Sequence, residues 1–180
     1  MGAGGRPARA DAPRALTVAV RHQRARPSRV HRPGQGRLGA APLLLDTHAW
    51  VWLLEGATAR WHRATTALLE AAAARRALVV SDISFWEIGI KAAKGKLELT
   101  LPATLWLQRA AQAPGIQSLA VTREILVLST QLDGTVHGDP ADRILVASAQ
   151  LHGLSLVTAD AAIVEAAATL RTFDVIDIRR

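Results

Sequence analysis

The 180-residue chain has no cysteine and no tyrosine, only two phenylalanines and a single methionine. Without thiols there is no disulfide framework, no thiolate zinc site and no cysteine nucleophile, so any bound metal must be held by oxygen or imidazole. No apolar stretch approaches the roughly 18 residues of a membrane span, and no long apolar run follows the N-terminal positive charges as a secretory signal requires. The expectation is a cytoplasmic protein with no membrane partner.

Acidic residues are scarce at one end only. Residues 1–40 hold nine Arg and one acid, Asp11, whereas residues 41–180 hold thirteen Lys plus Arg against fourteen Asp plus Glu. The formal charge of +7 therefore belongs to the N-terminal arm, and a high pI is no evidence that the remainder grips a phosphate backbone. The arm is rich in Arg, Ala, Gly and Pro, has no periodic apolar face, and its longest apolar stretch, Ala15 to Val20, is interrupted by Thr17. Such a composition is expected to be disordered, whether as a solvated basic tail, an over-extended translation start or an RNA-contacting arm. It shares the Arg-rich, acid-poor character of a mitochondrial transit peptide, but Ser28 is its one serine.

At Pro42 the texture changes. Leu43, Leu44 and Leu45 form a short buried-strand run that stops at Asp46. Helical spacing follows at Trp50, Leu53 and Leu54, and again from Trp61 to Arg75; Ala77 to Val80 reads as a second strand. Asp82 or Ser84 is placed to cap a helix running through Trp86, Ile88 and Ile90 to about Lys94, ended by Gly95. A helix is expected from Pro102, a strand over Ile116 to Val121 and a helix over Arg123 to Leu132. Asp139 as N-cap and Pro140 at the first helical position open a helix that Gly153 closes. Leu154 to Val157, Ala161 to Leu170 and Phe173 to Ile178 complete the series as strand, helix and strand. Strands separated by helices point to a single α/β domain over residues 41–180, with a parallel sheet covered on both faces.

Open parallel sheets bind ligands beyond the carboxyl ends of their strands. Asp46 ends the first strand, Glu87 stands one turn into the helix after the second, Asp142 lies in the first turn of the Gly153-terminated helix, and Asp160 follows the fourth strand. Converging carboxylates repel one another unless a divalent cation neutralises them, and all-oxygen ligation suits Mg²⁺ or Mn²⁺. Each acid also has a plainer role open to it. Glu87 can close a capping box with Ser84 or pair with Lys91, Asp142 can complement the helix dipole, and Asp46 or Asp160 can cap the next helix. Asp46 is the hardest to explain so, because a charge at the end of an apolar strand needs a partner.

The segments LLLDTHAWVWLL, SDISFWEIGIKAAKGKLEL and HGDPADRILVASAQLHGLSLVTAD together resemble the PIN domain, and specifically the VapC-type toxins of type II toxin–antitoxin operons. The resemblance spans Leu43 to about Ile178. It implies a three-layer α/β/α sandwich around a parallel sheet, a metal-dependent ribonuclease with RNA as substrate, a cognate antitoxin and a homodimer. Asp46, Glu87, Asp142 and Asp160 are the metal site it implies, with Thr158 of the TxD step orienting Asp160 or a water. Residues 1–40 lie outside the resemblance. Asp82, where relatives more often carry a small residue, adds an acid near the site; it is expected either to cap its helix or to support the acids, a supporting role open to Asp139 as well.

Other residues invite functional readings. His48 and His137 flank the acids, but a hard oxygen cluster has no need of imidazole. Trp50, Trp61, Trp86 and Trp106 sit in apolar helical stripes and are expected in the core rather than stacked on bases. Lys91, Lys94, Lys96 and Arg143 are candidate phosphate contacts, with a solvated helix end the plainer reading of the lysines. A flap-type DNA nuclease or a phosphatase on a related fold, and a non-catalytic interaction module, are the rival functions.

Overall fold

The computed structural model describes residues 41–57, 59, 61–136 and 138–179. The Arg-rich arm and His137 lie outside the described residues. Five strands alternate with seven helices: β1 (Leu43–Leu45), α1 (Thr47–Leu54), α2 (Arg63–Ala74), β2 (Leu78–Ser81), α3 (Asp82–Ala93), α4 (Ala103–Ala111), β3 (Ile116–Leu119), α5 (Arg123–Gln131), α6 (Pro140–His152), β4 (Ser155–Thr158), α7 (Ala161–Leu170) and β5 (Asp174–Asp177). All strand pairs are parallel, in the order β3-β2-β1-β4-β5.

Central strands of such a sheet are buried on both faces, which is why β1 is three leucines and β2 and β4 carry no charge. Alternate side chains separate into two layers. Leu43, Leu45, Leu78 and Val80 pack with Trp50, Leu69, Ala72 and Trp106 of α1, α2 and α4 on one face. Leu44, Val79 and Leu156 pack with Leu145, Val146 and Ile163 of α6 and α7 on the other. This is the expected three-layer α/β/α sandwich.

Several boundaries move by a residue or more. Asp82 and Ser84 are not the cap of α3: Ser81, the last residue of β2, accepts the Ile83 N–H at 3.4 Å, so strand and helix meet without a loop. The exposed face of α3 holds Trp86, 58% exposed, and not the core. At about 100° per residue, Trp86 and Ile88 lie on opposite sides of the helix, and Ile88 takes the buried one. Trp50, Trp61 and Trp106 are buried as expected. Gly153 closes α6 in the left-handed conformation, at φ 63°, which a glycine adopts without steric cost.

The chain runs outward from β1 through β2 to β3, then returns to the other side of β1 for β4 and β5. In open α/β sheets the ligand-binding crevice lies at such a reversal, here at the carboxyl ends of β1 and β4.

Candidate active site

Asp46 leaves β1 at this crevice, anchored by its N–H on the Val157 carbonyl of β4 at 3.0 Å. It occupies the N-cap position of α1, yet its side chain makes no capping hydrogen bond. Its Oδ2 instead accepts the buried Thr158 hydroxyl at 2.7 Å. Burial pushes the Asp46 carboxyl up from its ordinary range, opposed first by the Thr158 hydrogen bond and then by the charge of His48, while Glu87 adds to the rise. Thr158, rather than the start of α1, is thus the principal hydrogen-bond partner of the Asp46 carboxylate, with the His48 N–H a lesser one.

Asp160 does cap its helix. Its Oδ1 accepts the N–H groups of Ala162 at 2.7 Å and Ile163 at 3.2 Å. Its own N–H donates to Thr158 Oγ1 at 2.9 Å, so one threonine hydroxyl binds both the strand-end acids. This is the physical content of the Thr-x-Asp spacing: a side chain at the end of β4 reaches back to its own helix start and across to β1.

Glu87 enters from α3 with both oxygens engaged. Oε2 accepts the Thr47 hydroxyl at 2.6 Å, and Oε1 pairs with the Lys91 ammonium at 2.5 Å. The Thr47 and Ser84 hydroxyls are themselves hydrogen-bonded at 3.0 Å, so Ser84 supports the acid through Thr47 rather than as a helix cap. Lys91 Nζ also lies 3.3 Å from Nε2 of the exposed His48.

Asp142 completes the group from the first turn of α6, whose N-cap is Asp139, with Oδ1 on the Ala141 N–H at 2.8 Å. Its carboxyl is pushed up to about 7. Burial is the largest cause; the negative charges of Asp46, Asp139, Asp160 and Glu87 follow in that order. The other three proposed acids, together with Asp139, thus all act on Asp142. Asp82 is exposed in the first turn of α3.

Among the described residues, no three His, Asp or Glu side chains already stand at metal-ligating geometry. The chemistry of the donor set still fits a hard divalent cation: every group is a carboxylate, and the charge their mutual repulsion disfavours is what such an ion offsets.

Arg143 is reassigned. Its Nε donates to the Ser129 carbonyl at 2.9 Å, and its terminal nitrogens to Leu132 at 2.9 Å and Val136 at 3.2 Å. The guanidinium is thus spent on the end of α5 and the chain beyond it, which it fixes beside α6. Lys94 and Lys96 are exposed at the end of α3. Thr47, the partner of Glu87, and Arg179, which pairs with Asp177 at 2.9 Å and feels the charge of Asp160, were not singled out by sequence. Thr47 stands beside Asp46 in the first motif, but nothing local announces a contact 40 positions away.

No helix among the described residues is long and apolar enough to cross a membrane. Among curated proteins the chain is similar to "Ribonuclease VapC22" of Mycobacterium tuberculosis (strain ATCC 25618 / H37Rv), 31% identical over 118 residues that make up 66% of this chain and 86% of that protein. Among solved structures it is similar to FitAcB from Neisseria gonorrhoeae, with a TM-score of 0.51, 19% identity, and 74% of this chain and 96% of that one covered. A toxin–antitoxin complex from Klebsiella pneumoniae gives a TM-score of 0.48 at 20% identity, covering 74% and 95%. Residues 43–169 match the PIN domain. That match runs from β1 almost to the end of α7 and takes in all four acids along with the sheet that presents them, so the chain belongs to the PIN domain family.

Proposed function

We propose that the protein is a metal-dependent endoribonuclease and the toxin of a type II toxin–antitoxin system. The observation that carries this is the convergence of Asp46, Glu87, Asp142 and Asp160 at the crevice between β1 and β4, each within electrostatic reach of Asp142. The ribonuclease name of the 31% identical relative supports RNA as the substrate.

Hydrolysis requires a water oxygen to attack phosphorus in line with the departing sugar oxygen, one P–O bond forming as the other breaks and the leaving oxygen gaining a proton. A Mg²⁺ or Mn²⁺ ion bound by Asp46, Glu87, Asp142 and Asp160 would supply charge neutralisation and Lewis-acid activation of the phosphodiester. The protein's own contribution is preorganisation. Thr158 fixes Asp46, Thr47 fixes Glu87, and the N-terminus of α7 fixes Asp160, so little orientation is left to find at the moment of reaction. Glu87 or Asp142, entering from α3 and α6, would orient the attacking water.

The implied partners are a cognate antitoxin and a second copy of the chain. Exposed apolar side chains on α3 and α5, Trp86, Leu126 and Val127, are surface that a protein partner would remove from water.

Matched RNA and DNA oligonucleotides and a phosphate monoester, each incubated with chelator-stripped protein before and after adding Mg²⁺ or Mn²⁺, test the reading. Cation-dependent cleavage of RNA supports it. Preferred cleavage of DNA would point to a flap-type nuclease, turnover of the monoester to a phosphatase, and no turnover at all to an interaction module.

A further inference from the structure

An i,i+4 Glu–Lys pair on a helix is ordinarily a weak surface feature. The pair on α3 differs in what surrounds it. The Glu87 side chain is 13% exposed and the Lys91 side chain 27%, so the ion pair is partly shielded rather than on open surface. The two oxygens of Glu87 are also held by different kinds of group. Oε2 is fixed from inside by Thr47, which is 1% exposed and tied to Ser84. Oε1 is matched from outside by an ammonium on a flexible four-carbon stem, which simultaneously reaches His48 of α1. Lys91 is thus a positive charge bound directly to Glu87 of the acid cluster, bridging α3 and α1.

We propose that Lys91 is a substrate-positioning residue held in reserve: its ammonium occupies the outer oxygen of Glu87 until a divalent cation takes that oxygen, and then passes to a phosphate of the RNA. The proposal rests on the metal-dependent ribonuclease reading above. A divalent cation on that oxygen repels the neighbouring ammonium about as strongly as the single carboxylate charge attracts it, because Coulomb energy scales with the product of the charges over their distance. Lys91 thereby loses its hold on Oε1 as the cation binds. Its stem is rooted in α3, so the released ammonium stays at the rim, beside exposed His48, where an incoming phosphodiester passes. The demand for such a charge follows from composition: residues 41–180 carry thirteen basic against fourteen acidic side chains, so attraction for RNA has to come from individual cations at the site. Lysine suits the exchange, since it meets carboxylate and phosphate alike as a point charge, without the fixed fork of arginine.

The exchange gives one substitution two effects of opposite sign. Lys91→Met removes a competitor for the metal and a contact to the substrate. Mn²⁺ binding to the RNA-free protein, read from the electron paramagnetic resonance signal of free Mn²⁺, should tighten by about two- to fivefold, the range of a partly shielded ion pair. With Mn²⁺ saturating, KM for an RNA oligonucleotide should rise by a similar factor and kcat fall by less. Lys91→Arg, which keeps the charge, should hold KM near wild type and show no tightening of Mn²⁺. A structural role for Lys91 would weaken both metal and RNA binding, and that result overturns the proposal, as does Mn²⁺ affinity or KM unchanged in Lys91→Met. Absence of Mn²⁺ binding by the wild-type protein would overturn the metal-dependent function and this inference with it, whereas normal wild-type binding with no gain in Lys91→Met overturns the inference alone. Lys91→Gln, the more polar variant, should repeat the Lys91→Met pattern, and a divergence between the two would also count against it.

Discussion

Thr158 donates its hydroxyl proton to Asp46 at 2.7 Å across 112 positions of sequence, tying the end of β4 to the end of β1. Both residues are buried, so water cannot replace the bond if it is lost. Thr158→Val keeps the volume and leaves a buried carboxylate short of a donor and the Asp160 N–H short of an acceptor. The expected cost is about 1–3 kcal/mol of stability, the usual penalty for a stranded buried polar group. Cleavage should fall by roughly 10- to 100-fold, as when the hydrogen-bond support of a metal ligand is removed. Urea denaturation and initial cleavage rates measure the two effects. A variant within 0.5 kcal/mol of wild type by the first measure, a margin typical of neutral surface changes, would mean the hydroxyl does not hold Asp46.

Asp142→Asn should separate stability from activity. The wild-type carboxyl is raised to about 7 by burial and by four neighbouring acids, so its ionised form strains the metal-free fold at alkaline pH. The amide is nearly the same size and carries no charge. In chelator, at about pH 8, the variant should melt above wild type, while cleavage with Mg²⁺ is lost because a carboxylate has gone from the donor set. Equal melting temperatures with retained cleavage would remove Asp142 from the site. Asp46→Ala should likewise abolish cleavage.

The same shift fixes a pH dependence for the metal-free protein. An aspartate of ordinary pKa 3.8 in the unfolded chain and about 7 in the fold binds its proton more tightly when folded. Between those values the unfolded state is the first to lose the proton, so stability falls as pH rises and levels off above about 7. Asp46 is displaced in the same direction. Thermal melts in EDTA should therefore decline from about pH 5 to about pH 8, and added Mg²⁺ should raise the melting temperature most at the alkaline end, where the acids are charged. A melting temperature that climbs with pH in EDTA would contradict the cluster.

The sheet was legible because central strands of a parallel sheet are short apolar runs that end abruptly, as Leu43 to Leu45 do at Asp46. Asp139, Pro140 and Gly153 marked α6 because capping depends on local backbone chemistry. What sequence did not give is what only the third dimension decides. Trp86, Ile88 and Ile90 all look apolar in a row, but a helix turns them to different sides, and the packing of α3 buries Ile88 while leaving Trp86 in water. The four acids could be named, yet their supports could not. Thr47 meets Glu87 because α1 and α3 start near the same strand ends, and Asp46 meets Thr158 because β1 and β4 are paired neighbours.

Arg143 gives the sharpest test of that difference. It follows Asp142 in the DPADR segment, and its charge suggests a hand on the RNA backbone. The fold instead directs three of its nitrogens to the carbonyls of Ser129, Leu132 and Val136, which end α5 and begin the descent to α6. Those carbonyls face a half-buried guanidinium, and hydrogen bonds from a charged donor are each worth about 1.5–3 kcal/mol before the cost of burying the charge. Arg143→Lys keeps the charge but offers one nitrogen where three are used, so about 2 kcal/mol of stability should be lost, allowing for partial rescue by water. A phosphate contact would respond differently, because lysine serves a phosphate nearly as well as arginine and stability would not move. The expected outcome is a lower urea midpoint with the salt dependence of RNA binding unchanged. A wild-type midpoint combined with a shallower salt dependence would return Arg143 to the substrate side.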